Sequence, residues 1–216
     1  RLGVNPGKVT VIPVALGPEF KPESLPHSVA ARYGIVPPYI LSVGNFRPHK
    51  NLPRLILAFA NLSKALRDTH QLVLAGGDRE HRQALESLVR DLGITDRILF
   101  PGLIEDTHLP AVYSGCTLFV LPSLEEGFGL PALEAMACGA PVVAGNRAAI
   151  PEVVDKAALL VDPEDVPAMT EAMAQVLTVG HLRGTLRQNG LARALEFSAD
   201  RTARRVLALL YEVCRA

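Results

Sequence analysis

The chain reads as an α/β protein built on one open, parallel, six-stranded sheet with helices on both faces. Three observations predict this. Short apolar runs alternate six times with longer segments whose apolar residues recur at helical spacing. The runs are bounded by glycine, proline and small polar residues and do not alternate with polar residues, as expected of strands covered on both faces. No internal repeat, low-complexity segment or long linker interrupts the pattern after about residue 38. Such a chain forms a Rossmann-like layer sandwich, which binds ligands at the carboxyl ends of its strands.

Taken in order, Lys8 to Pro13 is expected to be a short strand, because Val9, Val11 and Ile12 are β-branched. From Glu19 to Pro38 four prolines leave only a short helix around His27 to Tyr33. Tyr39 to Val43 is the first core strand, followed by the polar loop Gly44-Asn45-Phe46-Arg47-Pro48-His49-Lys50-Asn51. Leu52, Leu55, Ile56, Phe59, Leu62 and Leu66 then form one helical stripe. Gln71 to Ala75 is the next strand, ending in Gly76-Gly77-Asp78, and the helix Glu80 to Leu92 turns Leu85, Leu88, Val89 and Leu92 inward. Arg97 to Phe100 is a strand that runs into Pro101-Gly102-Leu103-Ile104, and Leu109 to Ser114 is a short helix.

The stretch from Leu118 to Val143 organises the rest. It reads strand, glycine loop, helix, glycine stop, strand, with Pro131 in the first helical turn, where proline is tolerated. Gly127 and Gly129 let backbone approach a ligand, and the helix N-terminus offers unpaired N–H groups to a phosphate. Glu134 lies one turn inside that helix, and helical side chains lean toward the N-terminus, so its carboxylate points back at the loop. Carboxylates beside a phosphate must be aimed at something else. Sugar hydroxyls suit Glu126 and Glu134, so a sugar nucleotide fits. Each glutamate read alone is also an ordinary first-turn or solvated acid.

Beyond this unit, Pro151 and Glu152 open a helical turn, Ala158 to Val161 is the sixth strand, and Asp162-Pro163-Glu164-Asp165 starts a helix. Val166, Met169, Met173, Val176 and Leu177 form its core stripe. Helices over His181 to Glu196 and Ala199 to Cys214 complete the chain, the last with Val206, Leu209, Leu210 and Val213 on one face.

Composition narrows the function. The 216 residues are 49% hydrophobic, enough to bury a full core. Twenty-two basic and 22 acidic residues cancel, and no basic block appears, so no nucleic-acid partner is expected. No apolar run approaches the roughly 20 residues of a transmembrane segment. The six histidines show no metal-ligand spacing, and no metal is expected. Cys116, Cys138 and Cys214 are expected to be free, buried thiols in a reducing cytoplasm. Arg1-Leu2-Gly3 lacks an initiator Met and reads as the middle of a longer chain.

The string Pro-Ser-x-x-Glu-Gly-Phe-Gly-Leu-Pro-x-Leu-Glu-Ala-Met-Ala-Cys-Gly-x-Pro-Val-Val over 122–143 strongly resembles the signature of family-4 retaining glycosyltransferases of GT-B fold. The likeness extends through Ile150–Val154 and Ala157–Pro163. It implies the C-terminal, donor-binding half of a two-domain enzyme, mannosyltransferase-like, that takes an NDP-sugar (GDP-mannose or UDP-hexose) and needs no metal. It further implies a hinge and lead-in segment at 1–38, a nucleotide-sugar-binding domain at 39–197 and a helix at 198–216 that packs on the other domain. The acceptor domain is expected to be absent from this chain. The chain alone is therefore expected to bind donor but transfer little sugar, and to be cytoplasmic, held at the inner membrane face through the missing domain.

Residue by residue, the resemblance gives Lys50 to the donor diphosphate with Arg47, favoured over His49, beside it. Glu126 orients the sugar, and Glu134 holds the ribose. Gly44, Gly127, Phe128, Gly129 and Leu130 line the phosphates, and Gly102 and Leu103 meet the nucleobase largely through backbone. Asn45 replaces a basic residue common in relatives, and Ala148 and Ala149 replace hydroxylated ones.

Two alternatives stand beside this reading. Gly127-x-Gly129-x-x-Ala132 matches a dinucleotide fingerprint, as in an NAD-dependent oxidoreductase. That motif calls for an acid at the end of the next strand, where Gly145-Asn146-Arg147 stands instead. The second alternative is a non-catalytic nucleotide-binding module.

Overall fold

Six strands, β1 (Tyr39–Gly44), β2 (Gln71–Gly76), β3 (Ile98–Gly102), β4 (Leu118–Leu121), β5 (Val142–Gly145) and β6 (Leu159–Val161), form one sheet in the order β3-β2-β1-β4-β5-β6. Every pairing is parallel. The structure is a computed structural model that describes residues 3, 5–77 and 79–215. The helices are α1 (His27–Tyr33), α2 (Leu52–Asn61), α3 (Lys64–Thr69), α4 (Arg79–Asp91), α5 (Leu109–Gly115), α6 (Leu130–Ala137), α7 (Ile150–Val154), α8 (Val166–Thr178), α9 (Gly180–Ala194) and α10 (Ala199–Arg215).

The sheet divides the core in two, because successive strand residues point to opposite faces. Tyr39, Leu41, Phe119 and Leu121 join one cluster with residues of α1, α5, α6 and α7. Ile40, Leu118 and Val120 join the other with residues of α2, α4 and α8. Both faces being covered explains why the strands read as uninterrupted apolar runs. The strand order reverses between β1 and β4, so their carboxyl ends open a crevice, and the loops after both carry the predicted residues Arg47, Lys50, Glu126, Gly127 and Gly129.

Several expectations are corrected. Lys8 to Pro13 is not a strand: Pro6–Lys8 is a single 3-10 turn, Val11 is 83% exposed, and the one described bridge nearby is Leu16 to Ser198. β-branched residues favour extended backbone, but a strand also needs a ladder partner. The single stripe from Leu52 to Leu66 is two helices. Leu62 is extended, and the Ser63 hydroxyl accepts from the Leu66 N–H, starting α3 afresh. The helix from His181 ends at Ala194, and Leu195–Phe197 is a 3-10 turn. Leu92 lies just past the end of α4 and is exposed, as is Cys214, while Cys116 and Cys138 are buried. Arg1, Leu2 and Asp78 lie outside the described residues.

α10 carries no buried residue, and Val206, Leu207, Leu210, Tyr211 and Val213 are exposed along it. Among the described residues no helix is long and apolar enough to cross a membrane.

Candidate functional site

β1 ends at Gly44, register partner of Gly76 at the end of β2. A Cβ on Gly76 would lie 2.3 Å from the Gly44 carbonyl oxygen, and its φ is +100°, so only glycine lets the two strand ends pass. The chain then turns through Pro48–Lys50, a 3-10 turn opened by proline, and enters α2 through Asn51. This turn holds Lys50 over the end of β4. There Lys50 Nζ lies 2.5 Å from Glu126 Oε1, with the two side chains only 13% and 10% exposed. The Ser123 hydroxyl donates to the same carboxylate oxygen at 2.8 Å.

The two loops are also stitched through backbone. The Leu124 N–H donates to the His49 carbonyl at 2.8 Å. The Asn51 amide donates to the carbonyls of Pro122 at 3.0 Å and Pro163 at 2.7 Å. Arg47 is exposed on the same loop, its N–H donating to Asn45 Oδ1.

Past Glu126 the loop carries no side chain at Gly127 or Gly129. Gly129, with φ +91°, is the N-cap of α6, and no side chain caps that helix's first turn. Pro131 has no N–H and the Ala132 N–H donates to the Gly129 carbonyl at 3.0 Å, so Leu130 carries the N–H that an anion would meet at the positive end of the helix dipole. Phe128 packs edge-on against Phe197, with ring centroids 5.8 Å apart, so it anchors the glycine loop to the body of the domain.

Glu134 accepts a 2.8 Å hydrogen bond from the hydroxyl of buried Tyr113 on α5. Burial raises the Glu134 pKa above the usual carboxylate range. The Tyr113 bond opposes that, and the nearby charges of Glu19 and Asp106 add to it. The Tyr113 phenol is raised in turn, first by burial and then by Glu134. Beside these groups a cleft of about 320 Å³ is lined by Gly44, Asn45, Gly76, Gly77, Leu103 and Asp106. Gly102, at φ +80°, turns the chain so that Leu103 projects 81% exposed at its rim.

The sequence puts Lys50, Glu126, Glu134 and the glycine loop at one edge; the structure joins Lys50 directly to Glu126, while Glu134 meets Tyr113. The sequence does not show Ser123, Asn51 or Tyr113 as their supports. Tyr113 and Glu134 are 21 residues apart, and nothing in the spacing shows that α5 packs on α6. Among the described residues no group of three or more His, Cys, Asp or Glu side chains is arranged to hold a metal ion.

A parallel sheet of this order, with the Lys50–Glu126 pair and a glycine-led helix at its switch point, is the Rossmann-like layer sandwich that GT-B glycosyltransferases share. The chain belongs to the glycosyl transferases group 1 family, whose model matches residues 34–193. It is 39% identical over 160 residues to O-antigen chain mannosyltransferase B of Escherichia coli, a match covering 74% of this chain and 42% of that protein. It is 33% identical over 213 residues to the MMP alpha-(1->4)-mannosyltransferase of Mycolicibacterium hassiacum, covering 95% of this chain and 49% of that one.

Among solved structures, the Anabaena protein HepE in complex with UDP and glucose superposes with a TM-score of 0.85 at 21% identity, over 97% of this chain and 59% of that one. Sucrose-phosphate synthase from Thermosynechococcus elongatus gives 0.81 at 29% identity, over 94% of this chain and 52% of that one. The chain thus spans less than half of the two mannosyltransferases. The expected family resemblance holds, and the oxidoreductase alternative finds no support.

Proposed function

We propose that this chain is the donor-binding part of a retaining glycosyltransferase that moves a hexosyl group, mannose favoured, from a nucleoside diphosphate sugar to a hydroxyl acceptor. The observation that carries it is the Lys50–Glu126 pair, set at the strand-order switch beside the uncapped N-terminus of α6. In transfer, the bond from the anomeric carbon to the diphosphate oxygen breaks and its electron pair leaves with the diphosphate. Lys50, Arg47 and the N–H groups around Gly129 supply fixed positive charge where that negative charge grows. Glu126 orients the sugar hydroxyls. Glu134, braced by Tyr113, accepts from the ribose. The acceptor hydroxyl forms the new bond on the same face, and its proton leaves with the departing diphosphate.

The cleft between Gly44, Gly77 and Leu103 would take the nucleobase, and Asp106 on its wall favours guanine. A carboxylate accepts two hydrogen bonds side by side, which the adjacent N1–H and N2–H of guanine supply and uracil does not. The likeness to mannosyltransferases points the same way. Acceptor contacts on this reading come from parts of such an enzyme outside the matched region, so the chain by itself would bind donor and transfer little sugar. Free thiols at Cys116, Cys138 and Cys214 accord with a cytoplasmic location.

Calorimetric titration of GDP, UDP, dTDP, ADP and NAD into the wild type, Lys50→Ala and Glu134→Ala tests the reading. Binding of one nucleoside diphosphate, weakened by both substitutions, supports it. Binding of NAD that is indifferent to both would sink it.

A further inference from the structure

We infer that Asn51 is a positioning residue of this site, one that holds the Lys50 ammonium against Glu126 by tying together the loops after three strands. Asn51 follows Lys50 directly. Its backbone sits in the left-handed region at φ +58°, which is costly for residues other than glycine and least so for asparagine. It is the N-cap of α2, a position where an asparagine ordinarily gives its side-chain oxygen to the helix's own first N–H groups. Here no such cap bond forms. The side chain is turned outward from its helix, and it is only 2% exposed.

Two of that side chain's three bonds reach the loops that follow β4 and β6. Nδ2 uses both hydrogens, one on the carbonyl of Pro122, at the end of β4, and one on the carbonyl of Pro163, beyond β6. Oδ1 accepts from Arg54 one turn into α2 at 2.9 Å. Glu126 hangs from the loop that begins at Pro122, and Lys50 is the residue before Asn51. The amide therefore sets the offset between the backbone that carries the cation and the backbone that carries the anion. A lysine has four rotatable side-chain bonds, and without such a clamp its ammonium would sample a wide volume. Glycine would satisfy the backbone angle better than asparagine does, so the local turn alone does not account for this side chain.

Two measurements on the whole chain test the inference, and only the second rests on the nucleotide reading. In the first, lysines compete for trace acetic anhydride, and the extent at Lys50 is read by mass spectrometry against exposed Lys64. The wild type is compared with Asn51→Gly, which suits the backbone angle, with Asn51→Asp, which keeps the shape but removes the two amide donors, and with Glu126→Gln as a reference for a released lysine. If Asn51 positions Lys50, its relative labelling rises by about fivefold or more in both Asn51 variants, at a temperature where circular dichroism shows them folded. Labelling that stays at the wild-type ratio in folded variants overturns the inference.

In the second, GDP and guanosine are titrated into wild type, Asn51→Gly, Lys50→Ala and the double variant. The expected result is a loss of about tenfold in GDP affinity for Asn51→Gly, the size of one charged hydrogen bond, no change for guanosine, and no further loss when Lys50 is already alanine. An equal loss of GDP affinity in both backgrounds, or a parallel loss of guanosine, shows a merely structural role. If the wild type binds no nucleoside diphosphate, the functional reading fails, and the labelling ratio still decides the role of Asn51.

Discussion

Replacing Lys50 by methionine should destabilise the fold by about 3 kcal/mol, while replacing Lys50 and Glu126 together should cost much less than the sum of the single changes. The pair is short, at 2.5 Å, and both side chains are nearly covered. At an effective dielectric near 20 the direct attraction at that distance is about 6–7 kcal/mol, and desolvation of the two ions offsets most of it. The methionine variant keeps the desolvation of Glu126 and loses its partner, leaving Ser123 as the remaining donor. Glu126→Gln costs less, about 2 kcal/mol, because its amide oxygen still accepts from Ser123 and Lys50. The double variant has no buried charge and should lose about 1–2 kcal/mol, so the coupling is about 3–4 kcal/mol. Urea unfolding at pH 7 reads these differences directly; at a slope of about 2 kcal/mol/M the methionine variant's midpoint falls by about 1.5 M. The coupling should change little between low and moderate salt, because covered charges are weakly screened. Single effects that add to within about 0.5 kcal/mol would refute the reasoning and make the pair an ordinary surface contact.

Asp106→Asn should weaken GDP binding by about tenfold and leave UDP unaffected, measured by calorimetry, since an amide cannot accept from both guanine donors at once. In the native chain one thiol, Cys214, should react with Ellman's reagent. Cys116 and Cys138 should react only on unfolding, because burial pushes both thiols up, Cys138 to about 12. A second fast thiol contradicts the packing. Glu134→Gln should raise the melting temperature at pH 7. The folded state holds the Glu134 proton more tightly than an exposed glutamate, near 4.5, holds its own, so ionising it costs stability as pH rises. The advantage should close as pH falls below that value, and an advantage that persists there argues against the assigned cause. Gly76→Ala should cost at least about 2 kcal/mol in urea unfolding, from its positive φ and the clash with Gly44, and a loss below 0.5 kcal/mol would show that the strand ends can separate.

The sequence by itself determined what short-range physics decides. Apolar runs without alternation marked all six strands to within a residue or two. Pro131 and Asp165 marked helix starts, the latter through a side chain that does accept from the Ala168 N–H. Glu134 one turn into α6 was legible because its distance from the glycine loop is set by helix geometry alone.

What only the tertiary structure decided lies between segments far apart in the chain. The order β3-β2-β1-β4-β5-β6 depends on which crossover packs where, and local propensity is silent on that. The Lys50–Glu126 bond spans 76 residues, the Tyr113–Glu134 bond 21, and the Asn51–Pro163 bond 112. Each joins a loop or helix to another only after the sheet has assembled. Lys8 to Pro13 failed as a strand for the same reason: its residues favour extended backbone, but pairing needs a neighbour that the rest of the fold does not bring. The candidate site was thus visible as a set of charged and glycine residues on separate loops, and the buried donors that fix their positions came into view only where those loops meet.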